Sequence, residues 1–196
     1  MSDAESLILP WGRVFCLEGA WASELTDRTS VLPMLELLER LKRIEFIHRD
    51  VATRPELECY LDRWLVSAVD YRVIYLAFHG SESGLSISDD EDGVVTLDHL
   101  GGRLADKLTD CVVHFGSCAV MKGDKERLRR FLGQTGARAV MGYDDDVPWI
   151  ESAALDLIVL GMLSWYRQLG TALNRLESDK EYASLRRALG FRVMRA

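Results

Sequence analysis

"YLAFHGSESG" (residues 75–84) runs apolar and aromatic residues straight into His79 and Gly80 and then turns polar. A short apolar run closed by glycine reads as a buried strand, with the histidine at its carboxyl end. "CVVHFGSC" (111–118) repeats the form and delivers Cys118 at the end of its own run. If the two runs are neighbouring parallel strands, their ends lie about 5 Å apart across the ladder, and His79 and Cys118 meet over the edge of the sheet. His114 shares a strand with Cys118 and lies roughly 13 Å from it along an extended chain, too far to act as its base.

Outward from this pair, strand-like and helix-like segments alternate. "RVFCLEG" (13–19), "IEFIHRDV" (44–51), "RVIYLAFHG" (72–80), "CVVHFGS" (111–117) and "ARAVMGY" (137–143) read as strands. "SVLPMLELLERLKRI" (30–44) places Leu35, Leu38 and Leu41 on one helical stripe, and "RPELECYLDRWLVSAVD" (54–70) opens a second helix with Pro55 and early acids. "GLSIS" and "VVTL", set around "DDEDG", predict a hairpin within residues 81–98. Helices follow over "TLDHLGGRLADKL", over "DKERLRRFLGQTG" (124–136, closed by Gly136) and over "IESAALDLIVLGMLSWYRQL" (150–169). The tail adds a helix over about 179–189 and a strand at "FRVMR" (191–195). Such alternation predicts an α/β domain over residues 13–196, a parallel sheet covered on both faces, with residues 1–12 as an N-terminal arm. In such sheets ligands bind at the carboxyl ends of the strands, where His79 and Cys118 fall.

The composition narrows the functional classes. A chain of 196 residues with 48% hydrophobic residues and only four prolines can bury one substantial core. A net charge of −7 offers nothing to a phosphate backbone, and the two basic clusters, "KERLRR" (125–130) and "LRRALGFRVMR" (185–195), read as solvated helix faces or chain ends. No nucleic-acid partner is expected. The four cysteines (16, 59, 111 and 118) show no C-x-x-C spacing and no histidine at ligand spacing, so neither a metal nor another cofactor is expected. The residues after Met1 have no signal-peptide form, and no charge-free apolar run reaches 18 residues, so the expectation is a reducing, cytoplasmic protein with free thiols and no membrane partner. A nucleotide-handling enzyme shares the strand–helix alternation, but the turn after the first strand, "LEGAWASEL", has no G-x-G-x-x-G and no Walker lysine.

A cysteine needs help to ionise near neutral pH, and a nearby imidazole supplies it by lowering the thiol pKa or taking the proton during attack. The pair suffices for acyl transfer, with the backbone N–H groups of Gly80 and Cys118 available to an oxyanion. Cys16, Cys59 and Cys111 read as packing or helix residues, and His48 and His99 as surface or loop residues.

With its "YLAFHG" and "VVHFGSC" the chain resembles the caspase-like fold of cysteine peptidases, the group of caspases, metacaspases, gingipains, separase and bacterial CHAT-type proteases. The likeness extends over "FCLEG", "IHRD", the hairpin after His-Gly and "AVMGYDDDVPW" with its long apolar helix, from about residue 13 to 195. It implies a three-layer α/β sandwich around a six-stranded, mostly parallel sheet, a dyad of His79 as acid or base and Cys118 as nucleophile, and no metal requirement. It further implies a protein substrate and an endopeptidase cut.

In caspases the loop after the fifth strand supplies part of the specificity pocket. Here that loop reads "GYDDDVPW" (142–149), so Asp144, Asp145 and Asp146 are candidates to hold a basic P1 side chain and Tyr143 and Trp149 to wall neighbouring subsites. Two positions depart from the pattern. Cys118 is followed by Ala119, Val120 and Met121 where many relatives have a small residue and a glycine, and Gly116 stands where metacaspase- and legumain-like members carry an acid. By analogy alone the chain is an effector of a bacterial defence or regulated-proteolysis system with an activating or regulatory partner, and the caspase arrangement allows a homodimer through "FRVM". The competing expectation is the same fold with an inert pair, acting as a binding or regulatory module.

Overall fold

The computed structural model describes residues 8–87 and 93–196. The first part of the expected N-terminal arm and most of the "DDEDG" turn lie outside the described residues. The strands are β1 (Arg13–Glu18), β2 (Glu45–Asp50), β3 (Val73–Ala77), β4 (His79–Ser81), β5 (Gly84–Ser86), β6 (Val94–Val95), β7 (Val112–Phe115), β8 (Ala139–Tyr143) and β9 (Phe191–Arg195). The helices are α1 (Leu32–Arg40), α2 (Arg54–Ser67), α3 (Leu97–Arg103), α4 (Lys125–Thr135), α5 (Trp149–Trp165), α6 (Leu169–Ser178) and α7 (Ala183–Ala188).

Six strands form one sheet in the order β2-β1-β3-β7-β8-β9, parallel except for β9, which runs antiparallel to β8 at the edge. Strand periodicity divides the core into two layers. Phe15, Leu17, Ile74, Leu76, Val113 and Phe115 face α2, α3 and α4, where Phe15 stacks on Trp64 with ring centroids 5.9 Å apart. Val14, Cys16, Val73, Tyr75, Val112 and Met141 face α1, α5 and α6. Each such aliphatic side chain contributes about 1.5–3 kcal/mol by leaving water, which makes the two apolar faces the dominant force for this register.

The helix starts are written locally. Thr53 and Glu56 form a capping box at α2, Thr96 accepts the His99 N–H at α3, and Asp124 accepts the Glu126 N–H at α4. Two expectations change. The long helix expected over 150–169 ends at Trp165, and after Tyr166–Gln168 a separate helix, α6, buries Leu169, Ala172, Leu173 and Leu176 against the second core layer. The end of the arm is no loose tail: Trp11 is buried and its indole N–H donates to Arg167 O at 3.1 Å.

The third strand also stops earlier than the sequence suggests. After Phe78 the chain leaves the main sheet, and His79–Ser81 begin a small antiparallel sheet in the order β4-β5-β6. Leu85, Ile87 and Val95 tie this sheet to the first core layer. Among the described residues no helix is long and apolar enough to cross a membrane.

Candidate functional site

Counting on from the Leu76–Phe115 pair, the parallel register of β3 and β7 brings His79 opposite Cys118. Ser117 fixes these two strand ends to each other: its buried hydroxyl donates to Leu76 O at 3.2 Å and accepts the Phe78 N–H at 3.3 Å. Gly80 shows how close the segments run, since a Cβ there would sit 2.7 Å from Cys118 O and 2.8 Å from Ser117 Cβ. Any side chain at position 80 would push the two ends apart.

His79 is exposed, and its Nε2 lies 2.8 Å from Trp21 O. A carbonyl only accepts, so this bond puts the ring proton on Nε2 and leaves Nδ1 as the basic nitrogen. The Trp21 indole also packs edge-on against the imidazole, with centroids 5.3 Å apart. Trp21 is in turn held by Glu18 at the end of β1. The buried Glu18 carboxylate accepts the Trp21 indole N–H at 2.5 Å and the Val31 N–H, the Ser30 hydroxyl and His48 Nε2, each at 2.7 Å. Burial pushes this carboxyl up, but the bonds from His48, Trp21, Ser30 and Val31 outweigh it and hold Glu18 below the usual carboxylate range. His48 is therefore a largely buried partner of Glu18 and not a surface residue.

Cys118 is half-buried. Its Sγ lies 3.5 Å from the Val147 N–H, a donor directed at the atom where thiolate charge would develop. The chain then turns through Ala119, a non-glycine residue in the left-handed region (φ 53°), and hooks onto the chain beyond β8 through Ala119 N to Asp145 O (3.1 Å) and Met121 N to Tyr143 O (2.8 Å). A left-handed alanine costs about 1–2 kcal/mol, and these two bonds hold it there. The two-residue hairpin after β4 makes Ser81–Gly84 and His79–Ser86 the hydrogen-bonded pairs, so the Gly80 N–H faces away from β5.

His79 and Cys118 line one cavity of about 130 Å³, walled by Trp21, Trp149, Val147 and Ala153. His79 and Trp21 also border a wider open cleft of about 600 Å³, whose other lining residues, among them Ala22, Ser23, Ala52, Ser86 and Ile87, are uncharged.

The loop residues expected to bind substrate divide. Trp149 lines the cavity, packed edge-on against Trp21 with centroids 4.4 Å apart. Tyr143 is not a subsite wall: β8 buries it completely, and its hydroxyl donates to Asp156 at 2.5 Å and to Ser152 O at 3.0 Å. Asp144 turns to the other side and pairs with Arg192 of β9. Asp145 and Asp146 point into solvent, with Lys122 3.9 Å from Asp145, and neither borders the cavity. An antiparallel β9 beside β8 draws the start of this loop toward the sheet edge, away from Cys118.

Like Ser152, the carboxyl group that does line the cavity comes from α5. Asp156 lies beneath it and is bonded to Tyr75 (2.7 Å), Tyr143 and His114 Nε2 (2.8 Å), while the His114 ring stacks on Tyr75 at 5.0 Å. Burial, together with the Asp156 charge, pushes both tyrosine hydroxyls well above their ordinary range, so they stay protonated donors. His114 is fully buried and committed to Asp156, which removes it from chemistry at Cys118. Gly116 is required here by the Tyr75 ring, because a Cβ would lie 2.4 Å from Tyr75 Cε2.

The other thiols are placed elsewhere. Cys16 is buried and raised well above the usual thiol range by burial and by nearby carboxylates, and Cys111 is pushed up to about 12, chiefly by burial. Cys59 is exposed on α2. Glu18, His48 and Asp50 bring potential metal-ligating atoms within 4.8 Å of one another, but four donors already occupy the Glu18 oxygens, which makes the group a structural tie.

Sequence reasoning missed Glu18, Trp21, Ser117 and Asp156. The serine was visible in "GSC", but the other three act across elements that only the folded chain brings together. No curated protein matches the sequence. A family model described as "Family of unknown function (DUF6642)" matches residues 12–194, nearly the whole chain, and the protein belongs to that family.

Proposed function

We propose that this protein is a caspase-like cysteine endopeptidase that cleaves proteins after a basic residue, with Cys118 as nucleophile and His79 as its acid and base. The observation that carries this reading is the shared cavity: an imidazole with its Nε2 proton held by a carbonyl and its Nδ1 without a bond among the described residues lines the same space as a half-buried thiol. Sγ attacks the scissile carbonyl carbon, and the thiol proton passes to His79 Nδ1. The N–H groups of Gly80 and Cys118 stabilise the tetrahedral oxyanion. Collapse breaks the C–N bond, His79 returns its proton to the departing amine, and a thioester remains on Cys118. Water, deprotonated by His79, attacks the thioester and releases the acid product and the free thiol.

The open cleft bordered by His79 and Trp21 suits the leaving side of an extended peptide, since its other lining residues are uncharged. An effector role in a defence or regulated-proteolysis system, with an activating partner, and a homodimer through the exposed edge of β9 belong to the same reading.

The test is covalent labelling by peptide acyloxymethyl ketones carrying P1 Arg or Lys. Wild type is expected to be modified at Cys118, Cys118→Ala to lose the label, His79→Ala to label at least 100-fold more slowly, and Cys59→Ser to label as wild type. Equal labelling rates in wild type and His79→Ala would remove the dyad and favour the inert binding module.

A further inference from the structure

Asp156 is the carboxyl group at the base of the cavity beside Cys118 among the described residues, and its hydrogen-bond partners are unusual for a buried acid. It is 3% exposed on α5, and its three partners are the hydroxyls of Tyr75 and Tyr143 and Nε2 of His114. The His114 Nδ1 is buried without a hydrogen-bond partner among the described residues. A ring with protons on both nitrogens would bury an unsatisfied donor there, so His114 serves Asp156 as a neutral donor through Nε2. No lysine or arginine pairs with Asp156 among the described residues. Three donors converge on the carboxyl and none of them brings a fixed positive charge, so a cation entering the cavity would supply the counter-charge that a buried carboxylate needs.

The cavity leads a cation to this charge. Its lining is mostly aromatic or small, from Trp21, Trp149 and Tyr75 to Gly116 and Ala153, and two of the rings carry the electron-rich indole faces that attract cations best. Oδ1 already accepts from Tyr143 and His114, whereas Oδ2 accepts only from Tyr75 and keeps an open lone-pair position. The three acids of the 144–146 loop point elsewhere and cannot serve this cavity.

We infer that the cavity is the primary specificity pocket and that it selects a cationic substrate side chain through Asp156, with Tyr75, Tyr143 and His114 holding the carboxylate in place. This inference rests on the cysteine-peptidase reading for its biological meaning, but its physical content, a cation site under the tryptophan pair, stands by itself.

The experiment uses the full chain as Cys118→Ala, so that thiol chemistry plays no part. Tryptophan emission is followed during titration with n-butylguanidinium, n-butylammonium and the neutral isostere n-butylurea. Both cations are expected to give a saturable change, and the urea to bind at least 10-fold more weakly. Asp156→Asn is expected to weaken cation binding at least 10-fold. Ala153→Leu, which fills the cavity and leaves the Asp156 bonds intact, is expected to abolish it and guards against a folding defect in Asp156→Asn. No saturable response to either cation, equal binding of the urea, or a cation response unchanged in both variants would each overturn the inference. His79-dependent labelling of Cys118 by a P1 norleucine ketone without cation binding would leave the peptidase reading standing and remove this pocket assignment. Cation binding with no labelling by any ketone would do the reverse.

Discussion

Two histidines leave neighbouring strands of the same sheet and meet opposite fates. His79 lies just past β3, exposed, held by a single bond from Nε2 to Trp21 O. His114 lies within β7, fully buried, bonded to Asp156 and stacked on Tyr75. Both are imidazoles in apolar runs ending in glycine, yet only one keeps a nitrogen free beside Cys118. Position along the strand decides this: inside the ladder the ring is enclosed by the core and its Nε2 is bonded to a core carboxyl, and beyond the ladder the ring reaches the cavity. The same contrast separates Cys118 from Cys16 and Cys111, whose burial raises them out of the reactive range.

The contrast breaks first under paired substitution. His79→Ala is expected to cost at least 100-fold in the rate of Cys118 labelling while changing unfolding free energy by no more than about 0.5 kcal/mol, because the ring is exposed. His114→Ala is expected to destabilise by about 3 kcal/mol, since it opens a cavity and takes one donor from a buried carboxylate. Denaturant unfolding read beside labelling kinetics checks both. A large stability loss in His79→Ala would place that ring with the structural histidine.

Acid sharpens the comparison through the support of His79. Glu18 is held below its usual range in the folded chain, so the stability it supplies is fully present above the unfolded-state value of about 4.3 and is lost as pH falls through the lower folded-state value. Unfolding free energy is thus expected to fall on acidification below about pH 4.3, and Glu18→Gln to flatten that part of the curve. The titration is read by chemical denaturation at fixed pH steps, with Trp21 emission reporting release of the loop.

The smallest expected effect lies beside the nucleophile. Ala119→Gly relieves a left-handed alanine but adds freedom to the unfolded chain, and the net expected gain is about 0.5–1 kcal/mol in stability. A loss of stability on this substitution would mean that the alanine side chain's packing outweighs its backbone cost.

Much of the fold was legible because its signals are local. Apolar runs closed by glycine marked β1, β3, β7 and β8, Pro55 with its early acids marked the start of α2, and Gly136 marked the end of α4. The helix α6 escaped notice because its Leu169, Ala172, Leu173 and Leu176 stripe follows the apolar α5 directly and merges with it in composition. The site was half legible for a similar reason. His79, Gly80 and Cys118 are fixed by where strands end, a one-dimensional property. Charge in a loop, by contrast, carries no direction, and Asp144, Asp145 and Asp146 turned toward Arg192 and solvent instead of the cavity.

What the sequence determined by itself is therefore the alternation of strands and helices and the placing of a histidine and a cysteine at two strand ends, because period-2 and helical burial patterns are written residue by residue. Only the tertiary structure decided what surrounds them. It set Trp21 O on His79 by way of Glu18, put the Ser117 clamp between the strand ends, and brought Asp156 from α5 under the cavity. It also gathered the two basic clusters, one on α4 and one around β9, along a single groove beside the edge strand. These contacts join residues far apart in the chain, and their energies come from burial and hydrogen bonding that exist only once the sheet and its helices have packed.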